Sequence, residues 1–93
     1  MYPIIFSRPA KRDLKRLPVK AIDLLEKEII PQIQTNPYIG EILRGPFRQF
    51  FKYKFSCLGT SYRIAYYIYQ KKIIFVVMVD TRENFYQELK RRI

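Results

Sequence analysis

The spacing of apolar positions changes about halfway along the chain. In "VKAIDLLEKEIIPQIQTN", Ile22, Leu25, Ile29 and Ile33 recur at intervals of three, four and four, which is one stripe of a helix. Pro31 interrupts the stripe. A proline carries no N–H and crowds the carbonyl four residues back, so the reading predicts a kink there, or a helix end near residues 28–30. Upstream, "YPIIFS" (2–7) predicts a short strand. "RPAKRDLKRL" (8–17) predicts a short helix capped by Ser7, with Pro9 in its first turn. "NPYIG" (36–40) predicts a loop.

In the second half the period shortens to two. Residues 47–56, 61–69 and 72–79 predict three strands, joined by "CLGT" and "QKK", connections short enough to require an antiparallel meander. The last of these holds "IIFVVMV", apolar at every position, as a central strand covered on both faces should be. "RENFYQELKRRI" (82–93) predicts a short helix capped by Asp80 or Thr81. The order of elements predicts an α+β fold: an antiparallel sheet of a short N-terminal strand plus a three-strand meander, with two N-terminal helices packed on one face and a short C-terminal helix. Residues 1–93 are expected to form one domain. The other sheet face is expected to lack a covering layer.

Alternation then assigns side chains to faces. In "FFKYKF" (50–55), Phe51, Tyr53 and Phe55 share one face, and Lys52 and Lys54 the other. In "SYRIAYYIY" (61–69), Tyr62, Ile64, Tyr66 and Ile68 alternate with Arg63, Ala65, Tyr67 and Tyr69. If the aromatic faces pack on the helices, Lys52, Lys54 and Arg63 emerge together on the uncovered face. Arg82 follows the last strand, and Tyr86 lies one helical turn further on. Four cations and a phenol are therefore expected on one surface.

Charge gives that surface a purpose. The chain has 18 Lys plus Arg against 8 Asp plus Glu, a net charge of +10. The excess is uneven: residues 1–45 hold eight basic and five acidic residues, residues 46–93 ten and three. Such an imbalance favours a polyanionic partner, nucleic acid ahead of an acidic protein, and no basic amphipathic helix suits a membrane surface. One cysteine, Cys57, excludes an internal disulfide and cysteine-rich zinc sites. No apolar run approaches the ~20 residues of a membrane span, and the N-terminus lacks the form of a signal peptide, so a cytoplasmic location is expected.

"LRGPFRQFFKYKF", "GTSYRIAYYI" and "VVMVDTRENFY", in this order, resemble the RelE/ParE superfamily of bacterial and archaeal toxins over nearly the whole chain. The resemblance implies a toxin of a type II toxin–antitoxin system. RelE-like members are endoribonucleases that cut messenger RNA in the ribosomal A site and are held inactive by a cognate antitoxin. ParE-like members share the fold and poison DNA gyrase. By the same likeness Lys52, Lys54 and Arg63 would stabilise the phosphate, Arg82 would act as acid or anion clamp, and Tyr86 as base. Many relatives carry glycine–histidine before the arginine, where this chain has Asp80 and Thr81.

The chemistry can be weighed apart from the resemblance. Cutting RNA by its own 2′-hydroxyl needs a base, charge stabilisation at the phosphate and an acid for the 5′-oxygen. The chain contains no histidine, and its acids are scattered, so neither the usual base nor a carboxylate-held metal is expected. That leaves metal-independent, cofactor-free electrostatic catalysis by Lys and Arg. The same residues also admit plainer roles: solvated lysines, an Arg63 ion pair with Asp80 or Glu83, a core position for Tyr86. A non-catalytic gyrase inhibitor and a plain RNA-binding domain remain as alternative functions.

Overall fold

The computed structural model describes residues 1–81 and 84–93. A short strand β1 (Ile4–Phe6) leads into helix α1 (Arg8–Lys15), whose first turn is closed by Ser7: its hydroxyl accepts the Ala10 N–H at 3.2 Å. A second helical rod follows, made of α2 (Val19–Leu24), a π-helical turn at Leu25–Ile29 and α3 (Ile30–Thr35). Three of the four residues of the predicted stripe, Leu25, Ile29 and Ile33, are buried together with Ala21. The rod passes through Pro31 instead of ending before it. The π turn explains how: the Ile30 N–H reaches the Leu25 carbonyl, five residues back, so the ladder widens just where the proline ring would crowd it.

The sheet has five strands in the order β1-β5-β4-β3-β2, where β2 is Glu41–Ile42, β3 Phe51–Cys57, β4 Thr60–Tyr69 and β5 Ile73–Asp80. Strands β3, β4 and β5 form the expected antiparallel meander. Two edges depart from expectation. β1 pairs in parallel with β5, Ile5 opposite Phe75, which makes the sheet mixed. At the far edge β2 pairs antiparallel with β3, and its two residues are too few to show any period in the sequence. The expected strand start at residues 47–50 is instead a single 3-10 turn (Gly45–Phe47) and a short link, turned by Gly45 at φ +63°.

Two apolar clusters sandwich the sheet. On one face Ala10, Leu25, Ile33, Tyr62, Ile64 and Tyr66 pack with the N-terminal helices. On the other, Leu43, Phe47, Phe50, Ala65, Val77 and Met78 pack with Phe85 and Leu89 of helix α4 (Phe85–Arg92). The expectation of an uncovered face is therefore overturned: α4 and the 43–50 segment cover part of it. A bulge makes this double burial possible. Ala65 faces Met78 while the next residue, Tyr66, faces Val76, so β5 holds one extra residue. Val76 and Val79 consequently join the helical cluster, and Val77 and Met78 both join the other. That is why "IIFVVMV" shows no alternation. Helix α4 begins after Asn84 and not at the expected Asp80 or Thr81.

Candidate functional site

Register sets the site out in two rows across the face that α4 partly covers. The first runs Glu41, Lys52, Ala65, Met78 across β2, β3, β4 and β5, and the second runs Lys54, Arg63, Asp80 across β3, β4 and β5. Lys52, Lys54 and Arg63 thus share one face, while Tyr53 and Ile64 pair on the other and pack with the helical core.

The two rows differ in character. Lys52 is not an open cation. Its Nζ lies 3.1 Å from Glu41 Oε1, its side chain is only 13% exposed, and the rings of Phe85 and Tyr86 lie 5.9 and 6.0 Å from it. The hydrogen bond and charge of Lys52 hold the Glu41 carboxyl below the usual carboxylate range, so Glu41 is ionised at neutral pH. Lys54, one pleat further on, is exposed and stands directly opposite Arg63. Two cations facing each other repel, and Asp80 on the far side of Arg63 offsets part of that. Asp80 also accepts the Thr81 N–H at 2.7 Å.

Tyr86 sits in the first turn of α4, 42% exposed, with its ring 5.7 Å from that of Phe47. It is not the buried core residue that one reading allowed; that position belongs to its neighbour Phe85, 3% exposed. Tyr86, Glu41, Ile42 and Arg44 line a cavity of about 500 Å³. A second, of about 320 Å³, is lined by Ile39, Glu41, Lys52, Tyr53 and Lys54. Glu41 stands on both. The structure therefore gathers Lys52 and Tyr86 around Glu41, with Lys54 and Arg63 in the adjoining row; Arg82 lies outside the described residues.

Glu41 escaped the sequence reading, and Arg44 entered it only within the stretch "LRGPFRQFFKYKF", with no role of its own. Their segment, "GEILRG", has no helical or strand period, and nothing local shows that it lies along the lysine strand. Gly40 allows that approach. A Cβ there would lie 2.6 Å from the Tyr66 hydroxyl and 3.1 Å from the Lys52 carbonyl oxygen. Among the described residues no three His, Cys, Asp or Glu side chains come together as metal ligands, and no helix is long and apolar enough to cross a membrane.

The fold is similar to that of solved toxin structures. The toxin–antitoxin complex RelBE2 from Mycobacterium tuberculosis matches with a TM-score of 0.71 at 26% identity, over 87% of this chain and 98% of that one. The intact RelBE toxin–antitoxin complex of E. coli matches with a TM-score of 0.71 at 22% identity, over 90% of this chain and 100% of that one. A free double arginine-to-alanine mutant of E. coli RelE matches with a TM-score of 0.73 at 21% identity, over 99% of this chain and 98% of that one. No curated protein sequence matches. The model of the ParE-like toxins of type II bacterial toxin–antitoxin systems matches residues 4–90. The chain belongs to that family and is a toxin of the RelE/ParE superfamily.

Proposed function

We propose that the chain is a metal-independent endoribonuclease that cuts messenger RNA on the ribosome, inhibits translation and is silenced by a cognate acidic antitoxin. The observation that carries this reading is the pair of rows on one sheet face, where a Lys54–Arg63 cation pair adjoins Lys52, Glu41 and the exposed phenol of Tyr86. The 2′-oxygen attacks phosphorus, the bond from phosphorus to the 5′-oxygen breaks, and a 2′,3′-cyclic phosphate forms. Lys54 and Arg63 offset the charge gathering on the phosphate oxygens. The 2′-hydroxyl proton passes to the ionised Glu41 carboxylate, or to the Tyr86 oxygen once its phenol has given up its own proton, both on the larger cavity, and the 5′-oxygen takes a proton from the cationic side, where the family resemblance puts Arg82. RelE-like structures crystallised as complexes with antitoxin support the partner assignment.

Two observations favour a second reading, a non-catalytic inhibitor of DNA gyrase: the matching family model is ParE-like, and Lys52 is already neutralised by Glu41. One experiment separates the two. The parent and Lys54→Ala, Tyr86→Phe and Glu41→Gln variants are expressed without antitoxin, messenger-RNA ends are mapped, and gyrase supercoiling is assayed in parallel. The ribonuclease reading expects new RNA ends with the parent and a fall of about 10²–10⁴-fold when the proton-transfer group is removed. Growth arrest by the parent with intact RNA and blocked supercoiling would establish the gyrase reading instead.

A further inference from the structure

Away from these rows, α1 and α4 close on a cleft of about 330 Å³ lined by Arg12, Asp13, Arg16, Glu88, Arg91 and Arg92. Its floor is already neutralised. Arg92 grips both oxygens of Asp13 at 2.6 and 2.9 Å and reaches Glu88 at 3.1 Å. Its rim is not. Arg12 lies on α1 and Arg16, four residues on, caps its C-terminal end; both are exposed, and neither joins an ion pair among the described residues. Arg91 is 76% exposed and spends one nitrogen on Glu88, which leaves most of its five donors unused. Three guanidinium groups thus border the cleft, and two of them meet no ion-pair partner among the described residues. Arg16 and Asp13 also line a second cavity of about 330 Å³, which runs past Thr60 and Tyr62 to Asp80 and Thr81. Asp80 stands opposite Arg63, at the end of the second row.

We propose that the α1–α4 cleft is a second phosphate-binding site, which takes a backbone phosphate of the RNA strand outside the cleavage centre and carries no chemistry. The proposal rests on the RNA reading above and extends it. All four cations of the cleft are arginine, whose planar fork engages two phosphate oxygens at once. RNA is favoured over an acidic protein because a strand held at Lys54 and Arg63 can continue along the cavity past Asp80 to Arg16. Its next phosphates are then tethered beside the cleft at high effective concentration.

The test uses a ten-nucleotide RNA with every ribose 2′-O-methylated, so that binding is read without cleavage. Its affinity is measured over a salt series for the parent and for an Arg12→Gln/Arg16→Gln double variant, whose melting temperature should match the parent's because both side chains are exposed. Loss of two single-strand contacts should flatten the log–log salt slope by about 1.4. An unchanged slope overturns the site, whatever the parent does to RNA. A flattened slope with a parent that cuts no RNA keeps the site and removes the ribonuclease reading; no RNA binding by the parent removes both. Inorganic phosphate that binds the parent but not the variant, beside an unchanged RNA slope, would overturn the proposal in favour of a free-anion site. Loss of antitoxin retention with the RNA slope intact would overturn it in favour of an acidic protein contact.

Discussion

Arg92→Ala should detach α4 from the rest of the molecule at a cost that can be worked from its contacts. The guanidinium is 12% exposed and makes four bonds: two to Asp13, one to Glu88 and one at 3.1 Å to the Val77 carbonyl oxygen. These partners raise its pKa further, with the Asp13 hydrogen bonds leading. Truncation leaves the Asp13 carboxylate, 5% exposed, without the guanidinium it faces, and takes one cation from the Glu88 carboxylate, 9% exposed. Asp13 keeps only the Val79 N–H at 2.9 Å, and Glu88 keeps the exposed Arg91. Removing one member of a buried pair costs about 3–5 kcal/mol. At ~4–8 °C per kcal/mol for a domain this small, the melting temperature should drop by at least about 12 °C. Urea denaturation supplies the free energy, and amide exchange over residues 85–92 tells whether α4 opens first. A loss below ~1 kcal/mol with unchanged exchange in α4 would refute the reasoning, because the carboxylates would then have been solvated all along.

Gly40→Ala should destabilise the fold by about 1–3 kcal/mol through overpacking, because φ at Gly40 is an ordinary −73° and only space is lacking. Adding Tyr66→Phe removes the atom 2.6 Å from the new Cβ and should restore part of that loss in a denaturation series; no restoration would refute the clash. Tyr66 itself should make the fold sensitive to alkali. Burial pushes its phenol up to about 12 from an ordinary 10.0, and the neutral hydroxyl donates to the Pro37 carbonyl oxygen at 2.7 Å. A pKa raised in the folded state means that stability is fully present below pH ~10 and is lost as pH rises through about 12. Denaturation midpoints between pH 9 and 12 should therefore fall more steeply for the parent than for Tyr66→Phe, and parallel slopes would refute the assignment.

Much of the fold is written in local pattern. The meander, the helical stripe of Leu25, Ile29 and Ile33, and the shared face of Lys52, Lys54 and Arg63 all follow from period and short connections, because a strand's two faces are fixed by its backbone. Pairing between distant segments carries no such signature. β1 reads as a strand, but its parallel partner is chosen by which sheet edge lies free, and β2 is too short to declare itself. The bulge at Val77 changes which face later residues meet, and a run of apolar residues hides it. For the same reason the sequence determined which cations share a surface, while the tertiary structure decided what each one meets. It seated Glu41 against Lys52 through an unpatterned edge segment, and it laid α4 over a face expected to be uncovered. An ion pair between residues eleven positions apart, or the 79-position span from Arg92 to Asp13, depends on how separate elements pack, and packing is settled only when the whole core closes.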